Sequence, residues 1–309
     1  MSTATTKSPK SRARIPEWLR FRIPDGAAYR ATNKEIRAAG VATVCEEARC
    51  PNVHDCWSRH TATVMILGDT CTRGCRFCSV ATSANPAPPD PGEPARVAAL
   101  AATLGWRYVV LTSVDRDDLP DAGAAHYAMT VRALRQTIPN AHVEVLVPDF
   151  GGVNEHLDLV LAAEPHVMGH NLETVRRVSP LVRDRRASYE GSLQVLAHAA
   201  AFNPRPLSKS ALMLGLGETR DELHQTLIDL READVDVVAL GQYLQPDRRS
   251  IPVDRYLPPE EFDDIAKEAR ALGFKEVSAG PLVRSSYHSE EFIRHLLPLP
   301  SSGTGTASP

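Results

Sequence analysis

Three cysteines occur within eight residues of one another, directly after a run of apolar residues. Cys71, Cys75 and Cys78 have the spacing CX3CX2C and follow the apolar run 63–67 and the turn residue Gly68. Such a run predicts a buried strand, and the short spacing lets three sulfurs converge at a small loop-closure cost. A fully ligated 4Fe–4S cluster takes four cysteines, so three thiolates leave one iron open for chemistry. This loop triplet predicts a catalytic iron–sulfur site, with a zinc site or three buried free cysteines as alternatives.

A second triplet precedes the first. Cys45, Cys50 and Cys56, the N-terminal triplet, have CX4CX5C spacing and complete the six cysteines of the chain. With His54 or His60 as a fourth ligand this triplet would be a zinc knuckle, and that alternative stays open. The first 14 residues contain no apolar secretory core, so we expect a bacterial cytoplasmic protein whose thiols bind metal rather than form disulfides.

The composition is that of a soluble globular protein. The 309 residues are 43% hydrophobic and 24% charged, which is enough apolar content for a sizeable core. A net charge of −3 gives no basic field for nucleic acid, and no apolar run is long enough to span a membrane. We expect no nucleic-acid or membrane partner, and because nothing indicates an obligate oligomer, we expect a monomer.

From residue 61 onward, apolar strand patterns alternate with helix patterns. The predicted strands are 62–68, 107–112, 142–147, 166–170, 208–215 and 236–242, and the predicted helices are 93–104, 120–136, 153–163, 188–200, 218–232 and 259–272. Aliphatic strands separated by helices are typical of parallel strands buried on both faces. Six such units are fewer than the eight of a closed barrel. We therefore predict an α/β fold, a partial (β/α)6 TIM-type barrel, with a seventh short strand near Glu276 at its flank.

The segments on either side of the barrel are predicted extensions. We divide the chain into a disordered tail, an N-terminal extension with the N-terminal triplet, the barrel, a C-terminal segment and a second disordered tail, with bounds 1–14, 15–60, 61–274, 275–299 and 300–309. Within the N-terminal extension, residues 15–21 suggest an amphipathic arm. Residues 32–39 suggest a helix with Asn33 as its N-cap candidate.

Polar residues follow several of the predicted strands, where the chemistry of a barrel gathers. They stand at 111–118, 170–174, 213–218 and 241–246. Each group alone is also typical of helix caps and turns. Gly215 and Gly217, which precede a helix, are compatible with either a turn or a phosphate-binding loop. The joint occurrence of these groups around one cysteine loop favours a shared site.

Four motifs together resemble the lipoyl synthase family of radical S-adenosylmethionine (SAM) enzymes. They are the two triplets, the stretch His170-Asn-Leu-Glu-Thr174 and the motif Arg284-Ser-Ser-Tyr287, and the resemblance covers roughly residues 15–290. Phe77 takes the aromatic position of the radical SAM signature CX3CXΦC. The resemblance implies the radical SAM fold with N- and C-terminal extensions that carry an auxiliary cluster. It also implies two 4Fe–4S clusters and SAM as cofactors.

The same resemblance implies the cluster ligands. The loop triplet matches the ligands of the radical SAM cluster, and the N-terminal triplet matches those of the auxiliary cluster. The fourth auxiliary ligand is a serine of the Arg284–Tyr287 motif. We favour Ser286, with Ser285 as the alternative, because the motif does not separate adjacent hydroxyls. Serine is a poor iron ligand beside thiolate, so the iron at Ser286 should be the most readily lost, which gives this serine a catalytic role.

Four residues are candidate contacts to SAM. They are Ser113, Asn171, Glu173 and Arg183, for its ribose, amino and carboxylate groups. A guanidinium suits a carboxylate because it binds in a bidentate manner. Two further arginines stand at positions 185 and 186, however, so a solvated basic face explains this stretch equally well. Leucines 214 and 216 belong either to the core or to the adenine site.

The implied activity is the insertion of sulfur at C6 and C8 of an octanoyl chain held in amide linkage by a lysine of a carrier domain. The auxiliary cluster is the sulfur donor, and reductive cleavage of SAM supplies the radical that activates each carbon. The implied partners are octanoylated carrier domains (2-oxoacid dehydrogenase E2 subunits and the glycine cleavage H protein), a ferredoxin or flavodoxin as electron donor, and an iron–sulfur carrier for cluster repair. The alternatives are another sulfur-inserting radical SAM enzyme and, in a different class, an iron–sulfur carrier or electron-transfer protein.

Overall fold

A computed structural model describes residues 15–20, 26–293 and 295–297. Both predicted tails, 1–14 and 300–309, lie outside the described residues. The strands are β1 (Ala42–Thr43), β2 (Thr63–Ile66), β3 (Thr70–Cys71), β4 (Ala81–Thr82), β5 (Tyr108–Ser113), β6 (His142–Leu146), β7 (Val167–Gly169), β8 (Leu207–Leu214), β9 (Val237–Gln242) and β10 (Glu276–Gly280).

Helices connect these strands and cover the sheet. They are α1 (Ala27–Ala39), α2 (Val44–Glu47), α3 (Val53–Ser58), α4 (Glu93–Thr103), α5 (Ala124–Thr137), α6 (Asn154–Leu161), α7 (Ser179–Val182), α8 (Tyr189–Ala201), α9 (Arg220–Glu232), α10 (Pro259–Ala271) and α11 (Ser289–Ile293). Single 3₁₀ turns occur at Glu17–Leu19 and Phe150–Gly152.

The main sheet has the strand order β1-β2-β5-β6-β7-β8-β9-β10. From β2 to β10 all neighbours are parallel, and only β1 runs antiparallel. The strand residues are aliphatic and buried, because helices cover the outer face while the inner face encloses the core and a cavity. In the part of the chain that the structure describes, β1 and β10 do not pair. The predicted partial barrel is confirmed, as is its seventh strand, β10.

The helix predictions hold except at two starts. The helix predicted at 120–136 begins at Ala124, because residues 120–123 form a turn that ends at Gly123 with a positive φ. The helix predicted at 32–39 begins at Ala27, so Asn33 lies inside α1 and is not its N-cap. Alanine, tyrosine and arginine at positions 27–31 carry the helix upstream of the polar residue, since alanine and arginine are good helix formers. The strands β1, β3 and β4 were not predicted, because two residues are too few to show a period.

The N-terminal arm lies on the barrel. Leu19 is buried, and the indole N–H of Trp18 donates a hydrogen bond to the carbonyl of Leu257 at 3.2 Å. The described part of the predicted arm is therefore docked on the barrel by one apolar and one polar contact, while Phe21 lies outside the described residues.

The C-terminal segment turns back into the barrel after β10. The amide of Asn52, in the N-terminal extension, donates to the carbonyl of Leu282 at 2.7 Å. At the next residue, a β-carbon on Gly241 of β9 would lie 1.9 Å from the carbonyl oxygen of Val283. Two non-bonded atoms cannot lie this close, so only glycine at position 241 lets the segment approach the sheet. The two extensions thereby meet inside the barrel.

A buried ion pair fixes the end of the segment. The ammonium of Lys209 lies 2.8 Å from the carboxylate of Glu144 and donates to the hydroxyl of Ser289 at 2.7 Å. Tyr108 donates to the other carboxylate oxygen of Glu144. Buried charges are tolerated only when they are paired and hydrogen-bonded, and this network meets both conditions. The start of α11 is thus tied to β8.

We predict that Gly241→Ala displaces the C-terminal segment, because the added methyl group overlaps the Val283 carbonyl. The expected loss of unfolding free energy is about 1–3 kcal/mol, accompanied by faster proteolytic cleavage within 281–297. Gly169→Ala in β7 is the matched control, since its β-carbon would lie an ordinary 3.4 Å from Leu146. Equal protease resistance and equal stability of the two variants would contradict the close approach.

Candidate functional site

One cavity of about 550 Å³ collects every residue that the sequence predicted for the site. Its walls come from the N-terminal extension, the loop after β3, several strand ends and the C-terminal segment. The predicted residues that line it are Cys45, Cys50, Cys56, Cys71, Cys75, Cys78, Phe77, Ser113, Asn171, Glu173, Arg183 and Ser286. Segments more than 200 residues apart in sequence therefore contribute to one site.

The loop triplet lies where main-chain N–H groups point at its sulfurs. The N–H of Arg73 donates to Cys71 Sγ at 3.3 Å, that of Val80 to Cys78 Sγ at 3.4 Å, and that of Asp184 to Cys75 Sγ at 3.3 Å. Such N–H groups stabilise thiolates and tune iron–sulfur clusters. The arrangement fits a cluster that is held by three thiolates.

Arg73, inside the loop triplet, is buried among three aspartates. Its guanidinium binds Asp117 with contacts of 2.7–3.1 Å and Asp149 at 2.7 and 2.8 Å, and it lies 3.3 Å from Asp115. Although burial opposes it, the guanidinium lowers the pKa of Asp117 and Asp149. Burial raises the pKa of Asp115 to about 6 despite Arg73. The ion cluster ties the loop to the carboxyl ends of β5 and β6.

A second contact holds the other side of the loop. The carboxylate of Asp184 accepts the N–H of Gly74 at 2.9 Å and the guanidinium of Arg186 at 2.9 Å. The guanidinium of Arg186 lowers the pKa of Asp184, and it also donates to the carbonyl of Thr72 at 2.7 Å. Arg186 is therefore part of the loop's support rather than of a free basic face.

The N-terminal triplet lies on α2, the following turn and α3. The N–H of Cys50 donates to the Cys45 carbonyl at 3.1 Å, which closes the turn. The two histidines of the zinc alternative are engaged elsewhere: His54 packs on Tyr29 with ring centroids 4.7 Å apart, and His60 Nδ1 lies 3.0 Å from the Thr32 hydroxyl. Among the described residues, no three His, Cys, Asp or Glu side chains are grouped to hold a single metal ion.

Burial raises the pKa of all six thiols, and it raises that of Cys45 and of Cys71 to about 11. Neighbouring thiols raise the pKa further within each triplet: Cys45 and Cys50 raise that of Cys56, and Cys78 raises that of Cys75. Metal ligation requires thiolates, so metal binding must release protons. Both triplets line one cavity, which is compatible with metal ligation.

The two serines of the Arg284–Tyr287 motif face different partners. Ser285 Oγ donates to the amide oxygen of Asn171 at 3.1 Å, whereas Ser286 Oγ accepts from the hydroxyl of Thr63 at 2.7 Å. Tyr287 donates to Asp55 of α3 at 3.2 Å. The motif therefore lies between the loop that follows β7 and the N-terminal triplet.

Arg183 is held in the cavity wall by a buried relay. Burial lowers the pKa of His170 to about 4, so its ring is neutral at pH 7. Nδ1 lies 2.9 Å from the Val147 carbonyl and carries the proton, so Nε2 accepts from the Ser192 hydroxyl at 2.8 Å. The Ser192 oxygen in turn accepts from Arg183 at 2.9 Å. Of the three neighbouring arginines, Arg183 lines the cavity, which favours the ligand interpretation over the solvated face.

Glu173 has a backbone conformation that is uncommon for a residue with a side chain. Its φ is 71°, and two main-chain bonds to β8 hold it there: its N–H donates to Ala211 at 3.0 Å, and its carbonyl accepts from Met213 at 2.8 Å. Burial raises the pKa of its carboxyl group, while Arg183 and Asn171 oppose that rise. Strain of this kind is retained at binding sites because the surroundings over-determine it.

The glycines at 215 and 217 form a turn that is already filled. The carboxylate of Glu218 accepts the N–H of Gly215 at 2.6 Å and that of Leu216 at 2.9 Å. The phosphate-binding alternative is therefore wrong, because the turn's own side chain takes the donors. Leu214 and Leu216 are buried in the core, and α9 begins at Arg220 behind an N-cap at Thr219.

Sequence reasoning missed the residues that support the site. Arg73 stands inside the triplet, and its aspartate partners belong to the polar strand end at 111–118 and to the loop after β6. Nothing in their spacing pairs them, because the contacts are made only when strands β2, β5 and β6 are adjacent. The available signal was the presence of arginines in the cysteine loop together with a strand end at 111–118 that carries three carboxylates.

Comparison with known proteins identifies the family. Residues 65–230 match the radical SAM superfamily, and residues 2–50 match the N-terminal domain of lipoyl synthase of the radical SAM family. The chain is 53% identical to a lipoyl synthase of Thermus thermophilus over 89% of its own length and 85% of that protein's. The chain belongs to the lipoyl synthase family. It is therefore a radical SAM sulfur-inserting enzyme, and the iron–sulfur carrier alternative is excluded.

Other relatives agree over comparable lengths. A lipoyl synthase of Pyrobaculum calidifontis is 53% identical over 92% of this chain and 97% of its own length. A mitochondrial lipoyl synthase of Drosophila sechellia is 50% identical over 93% of this chain and 78% of its own length. Among solved structures, methylornithine synthase aligns with a TM-score of 0.54 at 15% identity, covering 69% of this chain and 63% of its own. That likeness shows the radical SAM fold. No helix in the described residues is long and apolar enough to cross a membrane.

We predict that Arg73→Met destabilises the cluster-free chain by about 3–5 kcal/mol, because it leaves buried carboxylates unpaired. Arg76→Met in the same loop is the control. Among the described residues its exposed guanidinium donates only to the Leu181 carbonyl, so its effect should be within about 0.5 kcal/mol. The measurement is denaturant unfolding followed by circular dichroism.

The pH dependence of Arg73→Met follows from the lowered pKa of Asp117 and Asp149. Arg73 stabilises their ionised forms, so its contribution is complete above their unfolded pKa and is lost as the pH falls through the lower folded values. The difference in unfolding free energy between parent and variant should be largest at pH 7 and should decrease below about pH 4. A gap that stays constant with pH would contradict the charge-pairing role.

Proposed function

We propose that the chain holds two 4Fe–4S clusters, a radical SAM cluster on the loop triplet and an auxiliary cluster on the N-terminal triplet and Ser286. The observation that carries this proposal is the single cavity lined by both triplets and by the motif serines. Three thiolates with N–H donors suit a cluster with an open iron, and a serine from the returning segment supplies a fourth ligand to the other triplet.

We also propose that the strand ends around the loop triplet bind SAM. Arg183 lines the cavity near the Glu173 carboxyl and is oriented by Ser192, so its remaining donors suit a carboxylate. Glu173 and Asn171 suit an ammonium group, and Ser113 at the end of β5 suits a ribose hydroxyl. Phe77 lies in the cavity wall and shields the loop from water.

The interior between the two triplets suits an unbranched acyl chain. Met65, Val110, Ala211, Leu212 and Ala239 line it, so its walls are apolar and include small residues that leave room. When bound, SAM and the clusters supply a carbon-activating radical and sulfur for insertion at C6 and C8. The chain's own residues exclude water and hold the acyl carbons between the two cysteine groups.

The substrate we propose is an octanoyl group in amide linkage on a carrier domain, either a 2-oxoacid dehydrogenase E2 subunit or the glycine cleavage H protein. A ferredoxin or flavodoxin would supply electrons, and an iron–sulfur carrier would restore the auxiliary cluster. No two of the six cysteines form a disulfide, which suits a reducing compartment such as the bacterial cytoplasm.

The two triplets should separate the two activities. Alanine at all three positions of the loop triplet should abolish SAM cleavage, whereas alanine throughout the N-terminal triplet should retain SAM cleavage and lose sulfur insertion. Each triple variant should hold about four irons, against about eight in the parent. The measurements are iron analysis of anaerobically reconstituted protein, methionine release, and mass spectrometry of an octanoyl-lysyl peptide.

Each triple variant is the control for the other, because both lose three buried thiols. SAM cleavage that survives without the loop triplet would refute its assignment. Dithiolated peptide from the variant without the N-terminal triplet would show that this triplet is structural.

Ser286→Ala should still assemble both clusters, because three thiolates suffice to hold each one. It should fail in sulfur insertion, or stop after the first sulfur, because one iron is no longer held and released in order. Ser285→Ala is the matched control and should complete both insertions. The reverse pattern in the peptide mass spectra, with Ser285→Ala inactive, would move the ligand one residue earlier.

A further inference from the structure

Thr63, the first residue of β2, links the proposed serine ligand to the N-terminal extension. Its hydroxyl donates to Ser286 Oγ at 2.7 Å, and its strand pairs with β1, which leads directly into α2 and Cys45. The side chain is buried, with 6% of its surface exposed. The start of β2 therefore joins the N-terminal extension to the C-terminal segment.

The hydroxyl of Thr63 is not needed to form its strand. Thr63 pairs with Val110 of β5 through main-chain hydrogen bonds, and valine has the same branched shape and an equal preference for strands. The hydroxyl makes one described side-chain hydrogen bond, the one to Ser286. Its contribution to the site can therefore be separated from its contribution to the fold.

The same hydrogen bond distinguishes the two motif serines. A serine side chain has three staggered rotamers, and a hydrogen bond to its oxygen selects one of them. Thr63 holds Ser286 Oγ at β2, whose neighbour β1 leads into α2 with Cys45, whereas Ser285 Oγ donates to Asn171 after β7. A serine oxygen bound to iron retains a lone pair, so it can still accept from Thr63.

We propose that Thr63 is a positioning residue for the auxiliary cluster. The Thr63 hydroxyl holds Ser286 in the rotamer that ligates iron. This inference rests on the proposed ligation by Ser286. Thr63 acts through the serine and needs no contact with iron. Its loss should leave all six thiolates in place and weaken only the hold on the serine-bound iron.

The test uses the anaerobically reconstituted holoenzyme without SAM, so that the readout is independent of turnover. A ferrous chelator removes the most labile iron, and the rate of that first phase is measured for Thr63→Val, Thr63→Ser and Ser286→Ala. Thr63→Val should contain about eight irons, as in the parent. It should release the first iron roughly five-fold faster, the factor that corresponds to one net hydrogen bond. Thr63→Ser should restore the parent rate.

A second readout and a matched control isolate the positioning role. Mössbauer spectra of Thr63→Val should show a changed component for the oxygen-ligated iron and unchanged components for the others. Thr130→Val is the control, since its buried hydroxyl donates to the His126 carbonyl at 2.8 Å on α5, away from the cavity. It should leave both iron release and spectra unchanged even where it lowers stability.

The variants also separate this inference from the proposed function. Fast release in Ser286→Ala with the parent rate in Thr63→Val would overturn the role of Thr63 and leave the serine ligation standing. Parent rates in both variants would overturn the ligation and this inference with it. The double variant should match Ser286→Ala, and a further increase in its rate would show that Thr63 acts by another route.

Discussion

The C-terminal segment lies against β9 at a separation that only a glycine allows, because the Val283 carbonyl occupies the place of a β-carbon at position 241. This contact sets the path by which the Arg284–Tyr287 motif enters the barrel. The motif then meets the N-terminal triplet, and the buried Lys209–Glu144 pair holds the end of the segment at Ser289. The proposed auxiliary site is therefore assembled by packing between the two ends of the chain.

The loop triplet is held by charge pairing instead. Arg73 neutralises carboxylates from β5 and β6, and a buried cation of this kind is stable only when its partners are complete. The loop that carries three thiols is consequently held in place by contacts within the chain. The loop triplet thus depends on electrostatic pairing, whereas the C-terminal segment depends on close packing at Gly241 together with the Lys209–Glu144 pair.

Periodicity in the sequence was sufficient to predict the barrel, because long aliphatic runs and helical repeats report burial directly. It failed where an element is two residues long, as in β3, or where a helix extends past a polar residue, as at Asn33. The supporting network could not be predicted either. A buried arginine and its aspartates carry no periodic signal, and their pairing exists only once neighbouring strands are in register.

The sequence by itself determined which residues are candidates for the chemistry: the two cysteine triplets, the strand-end polar groups and the Arg284–Tyr287 motif are local patterns, and spacing along the chain defines them. Only the tertiary structure decided which contacts the side chains at these positions make. It placed Arg183 in the cavity and tied Arg186 to Asp184, engaged His54 and His60 away from the cysteines, and filled the Gly215 turn with Glu218. Each of these outcomes depends on which distant side chain or backbone group becomes the neighbour, and that is set by the packing of the whole barrel.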